Sequence, residues 1–490
     1  MTRAAFAVGT LAALLALCGT AQAAELGVLA PVLEKGAPLT KPGPADAPAP
    51  VVMRVTSGAL YAALQKEARG GYTATTLALD ELAQRKAGAS RVVPTWLYLS
   101  LEEGGFPRDG FWLRETGADR YVADRFVDLV VDEASVADGS FEEIFAHEMG
   151  HIFLRRLLPN LPDGYSRTRH GSFTVTDFPT AFDEGFATHF QALARRFTAN
   201  QKLRDRDLGI GQKPLTNYWY DNLDREARVA GVRGNWFIQA ALPLPEPGAG
   251  AFTRIDRSNL FDLGRLKNGT QMLASEGVMA TLFYRRLATG PRDGLLARYG
   301  REFDFLKAVN ARKPEAGRSA FLDLLAIERA QDKSLGATDT RSFIETTYAA
   351  TVDPEIAHAV EALARTGRIG DQEAFVAQLD AVRRRFTALE SALEGTRVLT
   401  HPGVGPDLWV LLEIPKDTAV NLNTAELDPL VSLPGVGPAS GARAIASRDA
   451  SGPFRSFDDF AQRAGIDKKA AARLQERAAA MKAAGAYTRR

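Results

Sequence analysis

The spacing of apolar and polar residues along this chain predicts an α+β protein. Short apolar runs predict β-strands at residues 51–55, 92–100, 111–113, 126–132 and 409–413. Helical spacing predicts an amphipathic helix at 59–69 and an apolar helix from Ser140 to Leu154. The first four strands predict a small mixed sheet in front of the apolar helix. From 301 to about 394 the period is again helical, which predicts a mostly helical lower half, with 301–417 as an extension and connector.

The first 50 residues lie outside this pattern. Residues 1–23 combine Arg3, an apolar run and the small-residue site Ala21-Gln-Ala23, which is typical of a cleaved signal peptide. An uncleaved membrane anchor is the alternative, but the apolar run is shorter than the about 20 residues that a spanning helix needs. Residues 24–50 are rich in Pro and Ala, which predicts a linker or a disordered arm. We therefore expect a periplasmic or secreted protein with no membrane span after cleavage.

Composition sharpens this expectation in two ways. The net charge of +1 in 490 residues gives no general preference for nucleic acid or membrane surfaces, so any such preference must be local. The single cysteine, Cys18, lies in the predicted signal peptide, so the mature chain would have neither disulfides nor thiolate ligands. A metal site in the mature chain must then use histidine and carboxylate ligands.

The apolar helix carries candidate metal chemistry in the stretch His147-Glu148-Met149-Gly150-His151. Two histidines four residues apart lie on one helix face and can bind one zinc ion, while Glu148 can act on a water at the metal. Ser140 and Glu143 predict a capping box at the start of the helix. A core helix with two histidines is the alternative, but burying histidines beside a carboxylate is unfavourable unless something satisfies them.

A second helix is predicted after a loop at 159–179 that is dense in Pro, Gly, Ser and Thr. It contains Asp183-Glu184-Gly185-Phe186-Ala187, and phenylalanines recur every four residues on its core face. Gly185 and Ala187 leave little side chain beside Glu184. We therefore expect this helix to approach another backbone closely and to present the carboxylate inward.

The two motifs together resemble the gluzincin branch of zinc metallopeptidases, over about residues 126–195. The resemblance implies a zincin-like catalytic domain, placed here at 51–300, and a peptide or protein substrate. It implies Glu148 as general base. The ligands that it implies for one Zn²⁺ ion are His147, His151 and Glu184.

The chain departs from the better-known branches at two points. The interval from His151 to Glu184 is longer than in the familiar aminopeptidases, which predicts an inserted loop and a distant or separate family. Leu154 and Leu157 stand where a metzincin has glycine and histidine, which excludes that branch.

Further residues are candidates for the cleft or for stabilising the transition state: His170, Tyr218, Tyr220, Tyr284 and Glu276. Glu276 lies on an apolar helix face, so it is either a buried glutamate paired with an arginine or a cleft residue that could replace Glu184 as ligand. His170 could be a ligand, a donor or an exposed histidine. The aromatic cluster that holds the tyrosines at 218 and 220 could equally serve packing. His189 is five residues after Glu184 and points away from it, so it is expected either to support a ligand or to be structural, and not to bind the metal.

Residues 418–490 predict a separate all-α unit. The run Leu433-Pro-Gly-Val-Gly-Pro438 makes a tight turn into a helix, a degenerate second half follows, and the whole resembles the helix-hairpin-helix domains of exported competence proteins. The hairpin glycines would let backbone amides approach phosphate. The candidate phosphate-binding residues are Gly435, Gly437 and Arg443.

Eleven Lys and Arg against seven Asp and Glu give residues 418–490 a net charge of +4, which is compatible with weak, non-specific DNA binding and does not require it. A protein partner or a purely structural role is equally open. The sequence therefore predicts an exported zinc metallopeptidase. The alternative is an envelope-associated protein that binds DNA or protein through the hairpin and has a non-catalytic zinc site.

Overall fold

The computed structural model describes residues 25–101, 104–164, 172, 176–209, 229, 232–233, 273–288, 290–331, 409–411, 419–423, 425, 430–431 and 433–483. Within them the protein is a mixed α+β structure with a helical C-terminal region, which confirms the predicted class. The described helices include none that is both long and apolar enough to cross a membrane. The predicted signal peptide lies outside the described residues.

The N-terminal half contains β1 (Leu26–Pro31), β2 (Leu33–Glu34), β3 (Ala37–Pro38), β4 (Thr40–Pro42), β5 (Pro48–Arg54), β6 (Thr95–Leu99), β7 (Phe106–Glu115) and β8 (Ala118–Leu129). Six of these strands form one sheet in the order β1-β6-β8-β7-β5-β4. Because β1 also pairs with β5, five strands close into a ring, β1-β6-β8-β7-β5. The ring is mixed: β7–β8 and β1–β5 are antiparallel, and the other pairs are parallel.

The ring separates two apolar clusters, because successive side chains of a strand point to opposite faces. The cluster on the face away from the helices contains Leu29, Val52, Trp96, Tyr98, Phe111, Leu113, Val122 and Phe126. The alternate residues Val28, Leu97 and Val127 belong to the main core, which the sheet shares with the helices. Strands β1, β6 and β8 are therefore apolar on both faces, as expected for strands covered on both sides.

The prediction of a linker or disordered arm at 24–50 is wrong for most of its length. β1 lies between β6 and β5, and Leu26, Val28 and Leu29 are buried. Pro48 and Pro50 lie in the half of β5 that pairs with β4 at the edge of the sheet, where a residue without an N–H is tolerated. A proline-rich composition was therefore compatible with strand structure.

The other predicted strands of this half each overlap an observed one: 51–55 in β5, 92–100 in β6, 111–113 in β7 and 126–132 at the end of β8. The predicted helix at 59–69 is α1 (Ala59–Ala68), and a further helix, α2 (Gly71–Lys86), follows it.

The helical layer consists of α3 (Glu133–Asp138), α4 (Ser140–Leu157), α5 (Phe178–Phe197), α6 (Gln201–Gly209), α7 (Glu276–Leu287), α8 (Leu295–Ala311) and α9 (Ala320–Gln331). Helix α5 packs between α4 and α7. A Cβ added at Gly150 of α4 would lie 2.8 Å from Ala187 Cα, and one at Gly185 would lie 2.9 Å from the Glu276 carbonyl oxygen. The close approach expected at Gly185 therefore occurs, and it is made to α7.

The start of α4 differs from the predicted capping box at Ser140 and Glu143. The capping box lies one helix earlier, where the Asp132 side chain accepts from the Ser135 N–H at the start of α3. Gly139, with φ of +82°, ends α3 and begins α4, and α4 has no side-chain cap. Glu143 instead forms a buried ion pair with Arg195, so its carboxylate is not at the helix start.

The C-terminal region contains a two-stranded sheet, β9 (Trp409–Leu411) and β10 (Ala419–Asn421), and three helices, α10 (Pro438–Ser451), α11 (Phe457–Ala464) and α12 (Lys468–Ala483). β9 confirms the strand predicted at 409–413. The region has an apolar core of its own, which includes Leu433, Phe454 and Leu474. Of the predicted extension at 301–417, residues 332–408 and 412–417 lie outside the described part.

Candidate metal centre and hairpin module

Helices α4 and α5 bring three metal-ligating side chains together. His147 and His151 are one turn apart on α4, and their ring centroids are 5.0 Å apart. Glu184 Oε2 on α5 lies 3.8 Å from His147 Nε2 and 3.6 Å from His151 Nε2. One ligand atom of each residue lies within 4.8 Å of the others. The distances to Glu184 are near the separation of about 3.4 Å between two ligands of a tetrahedral zinc ion.

Close helix packing explains why Glu184 reaches the histidines. Gly150 lies between the two histidines on α4, and its missing side chain makes room for the backbone of α5 at Ala187. Ala187 is three residues after Glu184, so the two residues share a helix face. Gly150 and Ala187 therefore set how closely α4 and α5 approach, and Gly185 packs against α7 instead.

Asp183 supports one of these histidines. Its Oδ1 lies 2.7 Å from His151 Nδ1, and both residues are 5% exposed. A hydrogen bond from Nδ1–H to a carboxylate leaves Nε2 as the ring atom available to a metal. The sequence alone predicts no role for Asp183. The sequence feature that indicates such a role is an acidic residue directly before a predicted metal ligand on a buried helix.

Glu148 lies beside the three residues in a buried position, 5% exposed. Burial raises its pKa to about 7, with smaller upward contributions from Glu184 and Asp183 and an opposing one from His151. Its Oε2 is buried without a hydrogen-bond partner among the described residues. On the other side, a Cβ at Gly105 would lie 3.8 Å from Glu148 Oε1. Glu148 is therefore a carboxyl group that nothing in the described structure ties to a structural role.

The donor set fits a zinc ion. Two imidazoles and one carboxylate with no thiolate match the ligands of catalytic zinc sites, which leave a coordination position for water or substrate. Burial opposes a charge on His151, yet Asp183 and Glu184 raise its pKa to about 9. The site therefore favours a positive charge, which a bound cation would also supply.

Other predicted site residues lie elsewhere. The Glu276 carboxylate accepts from the hydroxyls of Ser172 and Thr188 at 3.3 Å and is not part of the three-residue group. His170, Tyr218 and Tyr220 lie outside the described residues. The Tyr284 hydroxyl contacts Arg196, twelve residues and about 18 Å along α5 from Glu184, which removes it as an oxyanion donor.

Of the two roles open to His189, the structure shows the structural one. The side chain is fully buried among aromatic rings, and its Nε2 lies 2.5 Å from the Tyr299 hydroxyl. Burial lowers its pKa to about 3, so the ring is neutral at ordinary pH.

The hairpin glycines of the C-terminal region have the predicted geometry. Gly435 has φ of +81°, where glycine is favoured, and it packs against Ala470 of α12. Pro438 opens α10, and the N-cap Gly437 is exposed and provides no side-chain cap. Gly437 therefore donates no side-chain cap to the first backbone amides of α10. An anion could contact these amides only if no side chain caps them.

The arginines of this region contribute to its internal structure. Arg443 Nε donates to the Ala464 carbonyl at 3.2 Å. Arg448 is buried and donates to two carbonyls, and Arg463 donates to the Ser447 and Gly452 carbonyls. Three of the eleven Lys and Arg residues therefore donate to backbone carbonyls within the region, and the exposed cations near the hairpin include Lys468 and Lys469.

Comparison with known families matches the C-terminal region. A family model described as helix-hairpin-helix motif matches residues 415–478, three residues before the predicted boundary at 418. No curated protein matches the chain, and no solved structure matches it. The chain thus contains a helix-hairpin-helix region that follows an α+β half in the sequence.

Proposed function

We propose that the protein is a zinc-dependent peptidase that acts outside the cytoplasm. The observation that carries this proposal is the meeting of His147, His151 and Glu184 beside the buried Glu148. Two neighbouring helices contribute these groups, and Asp183 orients one of the imidazoles. The signal-like sequence at 1–23 supports export.

A zincin-like catalytic half is part of the same proposal. Helix α4, which carries both histidines, packs against β7 and β8 of the mixed sheet. Helix α5 packs against α4 and supplies the third ligand. Because β1 belongs to the sheet, we place the start of this half near residue 26 instead of residue 51.

The proposed reaction is hydrolysis of a peptide bond. Bound zinc would polarise the scissile carbonyl and acidify the attacking water. Glu148 would accept a proton from that water as its oxygen bonds to the carbonyl carbon, and would pass the proton to the amide nitrogen as the C–N bond breaks. Asp183 would hold His151 in the tautomer that leaves Nε2 for the metal.

A second function is proposed for residues 415–478, which match the helix-hairpin-helix motif. The exposed N-terminus of α10 at Gly437 and the nearby lysines support binding of a DNA phosphate by a protein surface that carries few positive charges. A protein partner is the alternative for this surface. Binding of DNA or of a protein by this region is compatible with peptidase activity in the α+β half. It would be the function of the whole chain if the zinc site is non-catalytic.

The experiment that tests the peptidase proposal is a digest of a peptide library by the purified, zinc-loaded chain with and without a chelator. We expect chelator-sensitive cleavage that Glu148→Gln abolishes while zinc content stays unchanged. Glu133→Gln, at an exposed glutamate of α3, is the matched control and should remain active. Full activity of Glu148→Gln would contradict the assigned base. Full zinc occupancy of Glu184→Ala would show that Glu184 is not the third ligand.

A further inference from the structure

Two glycines precede β7 beside the candidate general base. A Cβ added at Gly104 would lie 2.7 Å from Leu129 Cα, so the backbone of this residue packs directly on the end of β8. Within 4 Å of a Cβ added at Gly105, the described residues other than its chain neighbours place a single atom, Glu148 Oε1 at 3.8 Å. Gly105 is partly exposed. Its missing side chain therefore leaves a space beside Glu148 Oε1, which we call the Gly105 gap.

Two hydrogen bonds fix the backbone at the Gly105 gap. The Gly105 N–H donates to the Asp128 carbonyl at 2.7 Å, and Arg155 Nη1 donates to the Pro107 carbonyl at 2.9 Å. Arg155 lies one helical turn after His151 on α4. Because both the sheet and the helix of the two histidines hold this backbone, the fold sets the width of the gap before any ligand binds.

The backbone conformation gives a second reason for a glycine at this position. Gly105 has φ of +116°, where glycine is favoured over other residues. A purely structural role predicts that alanine costs stability here as it would at Gly58, which is exposed, has φ of +107° and has no atom within 4 Å of an added Cβ. A role in binding predicts, in addition, an effect on what can lie next to Glu148.

The place of the gap decides which part of a substrate it meets. In the proposed reaction Glu148 exchanges protons with the attacking water and the leaving amide nitrogen, so the scissile bond lies within about 3 Å of its carboxyl group. Neighbouring Cα atoms of a peptide are about 3.8 Å apart, so a residue that flanks this bond comes next to the Gly105 gap. The gap therefore limits the size of that residue.

We propose that Gly105 determines specificity in the candidate peptidase, because the Gly105 gap admits a bulky substrate residue next to the scissile bond. The substrate class is peptides with a large side chain at that position. Gly105→Ala would restrict cleavage to peptides with Gly or Ala there. This inference rests on the proposed peptidase function and adds a residue that takes no part in metal binding or proton transfer.

The first arm of the test compares cleavage of one peptide library by the zinc-loaded wild type, Gly105→Ala and Gly58→Ala. We expect the wild type to cut beside bulky residues. Gly105→Ala should lose about tenfold or more in kcat/KM on these peptides and little on peptides with Gly or Ala beside the cut, as expected for a site changed by one methyl group. Gly58→Ala should behave as the wild type. An equal loss on all peptides, or no loss, overturns the inference.

The second arm needs no turnover. Acetohydroxamate and benzohydroxamate bind zinc through the same group and differ in a methyl against a phenyl substituent, and each is titrated by calorimetry into the zinc-loaded proteins. We expect the wild type to bind both, and Gly105→Ala to lose about tenfold or more in affinity for benzohydroxamate alone. Adding Glu148→Asp, which withdraws the carboxyl group by one methylene, should recover part of this loss. A purely structural effect of Gly105→Ala would not be recovered.

The two arms separate this inference from the proposed catalysis. Size-selective binding without cleavage by the wild type would refute the peptidase function and keep the role of Gly105. Cleavage with the same preference in the wild type and Gly105→Ala would keep the peptidase function and overturn that role. If Gly105→Ala loses zinc or does not fold, the wild type decides: benzohydroxamate that binds more weakly than acetohydroxamate, or not at all, overturns the inference.

Discussion

The α4–α5 pair and the helix-hairpin-helix region both carry recognisable motifs, but their polar side chains serve different purposes. In the α4–α5 pair, Glu148 is buried beside two histidines and a carboxylate, and its Oε2 has no hydrogen-bond partner among the described residues. In the hairpin region, Arg448 and Arg463 donate to backbone carbonyls of the same region. A motif therefore indicates chemistry most strongly where its polar groups are buried without a structural task.

The largest effect is expected from the ion pair that ties α4 to α5. Arg195 Nη2 lies 3.0 Å from Glu143 Oε2, and both side chains are fully buried. Arg195→Met would leave the carboxylate without this cation in the core, which should lower the free energy of unfolding by about 3–5 kcal/mol. Urea unfolding of the full chain measures this loss.

The controls for this prediction use the same method. Arg204→Met, at an exposed arginine of α6, should change the unfolding free energy by less than about 0.5 kcal/mol. Adding Glu143→Leu to Arg195→Met should recover part of the loss, because the uncompensated charge is removed. A loss below about 1 kcal/mol for the single variant would mean that the α4–α5 contact does not depend on this pair.

The next effect tests whether the α4–α5 pair holds a metal through oriented ligands. Asp183→Asn removes the carboxylate that fixes the His151 tautomer, and we expect zinc affinity to fall about 10–100-fold. Competition with a chromophoric chelator measures this affinity and does not depend on turnover. Asp205→Asn, at an exposed aspartate of α6, is the control. Unchanged affinity in Asp183→Asn would remove the supporting role of the carboxylate.

The sequence could identify the parts of the site that depend on local spacing. His147 and His151 are one helical turn apart, and this spacing can be seen in the sequence. The close packing that brings Glu184 to them occurs at Gly150 and Ala187, whereas Gly185 packs against α7. The role of Asp183 depends on which histidine α5 faces, and this is fixed only by the packing of two helices.

The difference between local spacing and packing between elements also explains where the predicted fold is wrong. The closure of the sheet depends on pairing between Ala30 and Met53, for which a pattern within either strand gives no sign. The spacing of Ser140 and Glu143 satisfies the capping-box motif, which is why the sequence predicts the box there. In the structure, Gly139 has a left-handed conformation and leaves the start of α4 without a side-chain cap. Asp132 forms the capping box of α3 instead. Composition misled at 24–50, because proline and alanine content does not show strand pairing: β1 pairs with both β6 and β5, and the prolines of β5 pair with β4 at the sheet edge.

A smaller effect is expected from His189, which is buried on α5 outside the site. Burial lowers its pKa from the ordinary 6.5 to about 3, so below about pH 6.5 the unfolded chain binds a proton that the folded chain does not. Stability should therefore fall as pH falls from about 6.5 towards 3, by about 1.4 kcal/mol per pH unit once the unfolded histidine is protonated. Above pH 6.5 this contribution does not change with pH.

Urea unfolding of the metal-free chain at pH 5 and pH 7 measures this effect. Other groups titrate in the same range, so the quantity of interest is the difference between wild type and His189→Asn, whose pH dependence should be weaker by this amount. Tyr299→Phe, which removes the hydroxyl that contacts the ring, should lower stability and keep the pH dependence. Equal pH dependence in wild type and His189→Asn would mean that the histidine is protonated in the folded state.

The smallest effect tests the hairpin side of the comparison. Lys469 is exposed, and it precedes Ala470, which packs against Gly435 of the hairpin. We expect the full chain to bind a labelled DNA duplex weakly at low salt, and Lys469→Ala to lower the slope of log affinity against log salt by about 1. Fluorescence anisotropy over a salt series measures the slope, and Lys66→Ala, on α1, is the control. If Lys469→Ala leaves the slope of log affinity against log salt unchanged, phosphate contacts do not involve the surface around Lys469 and Gly435. Together with the arginines already bound to backbone carbonyls, that result would favour a protein partner for this region.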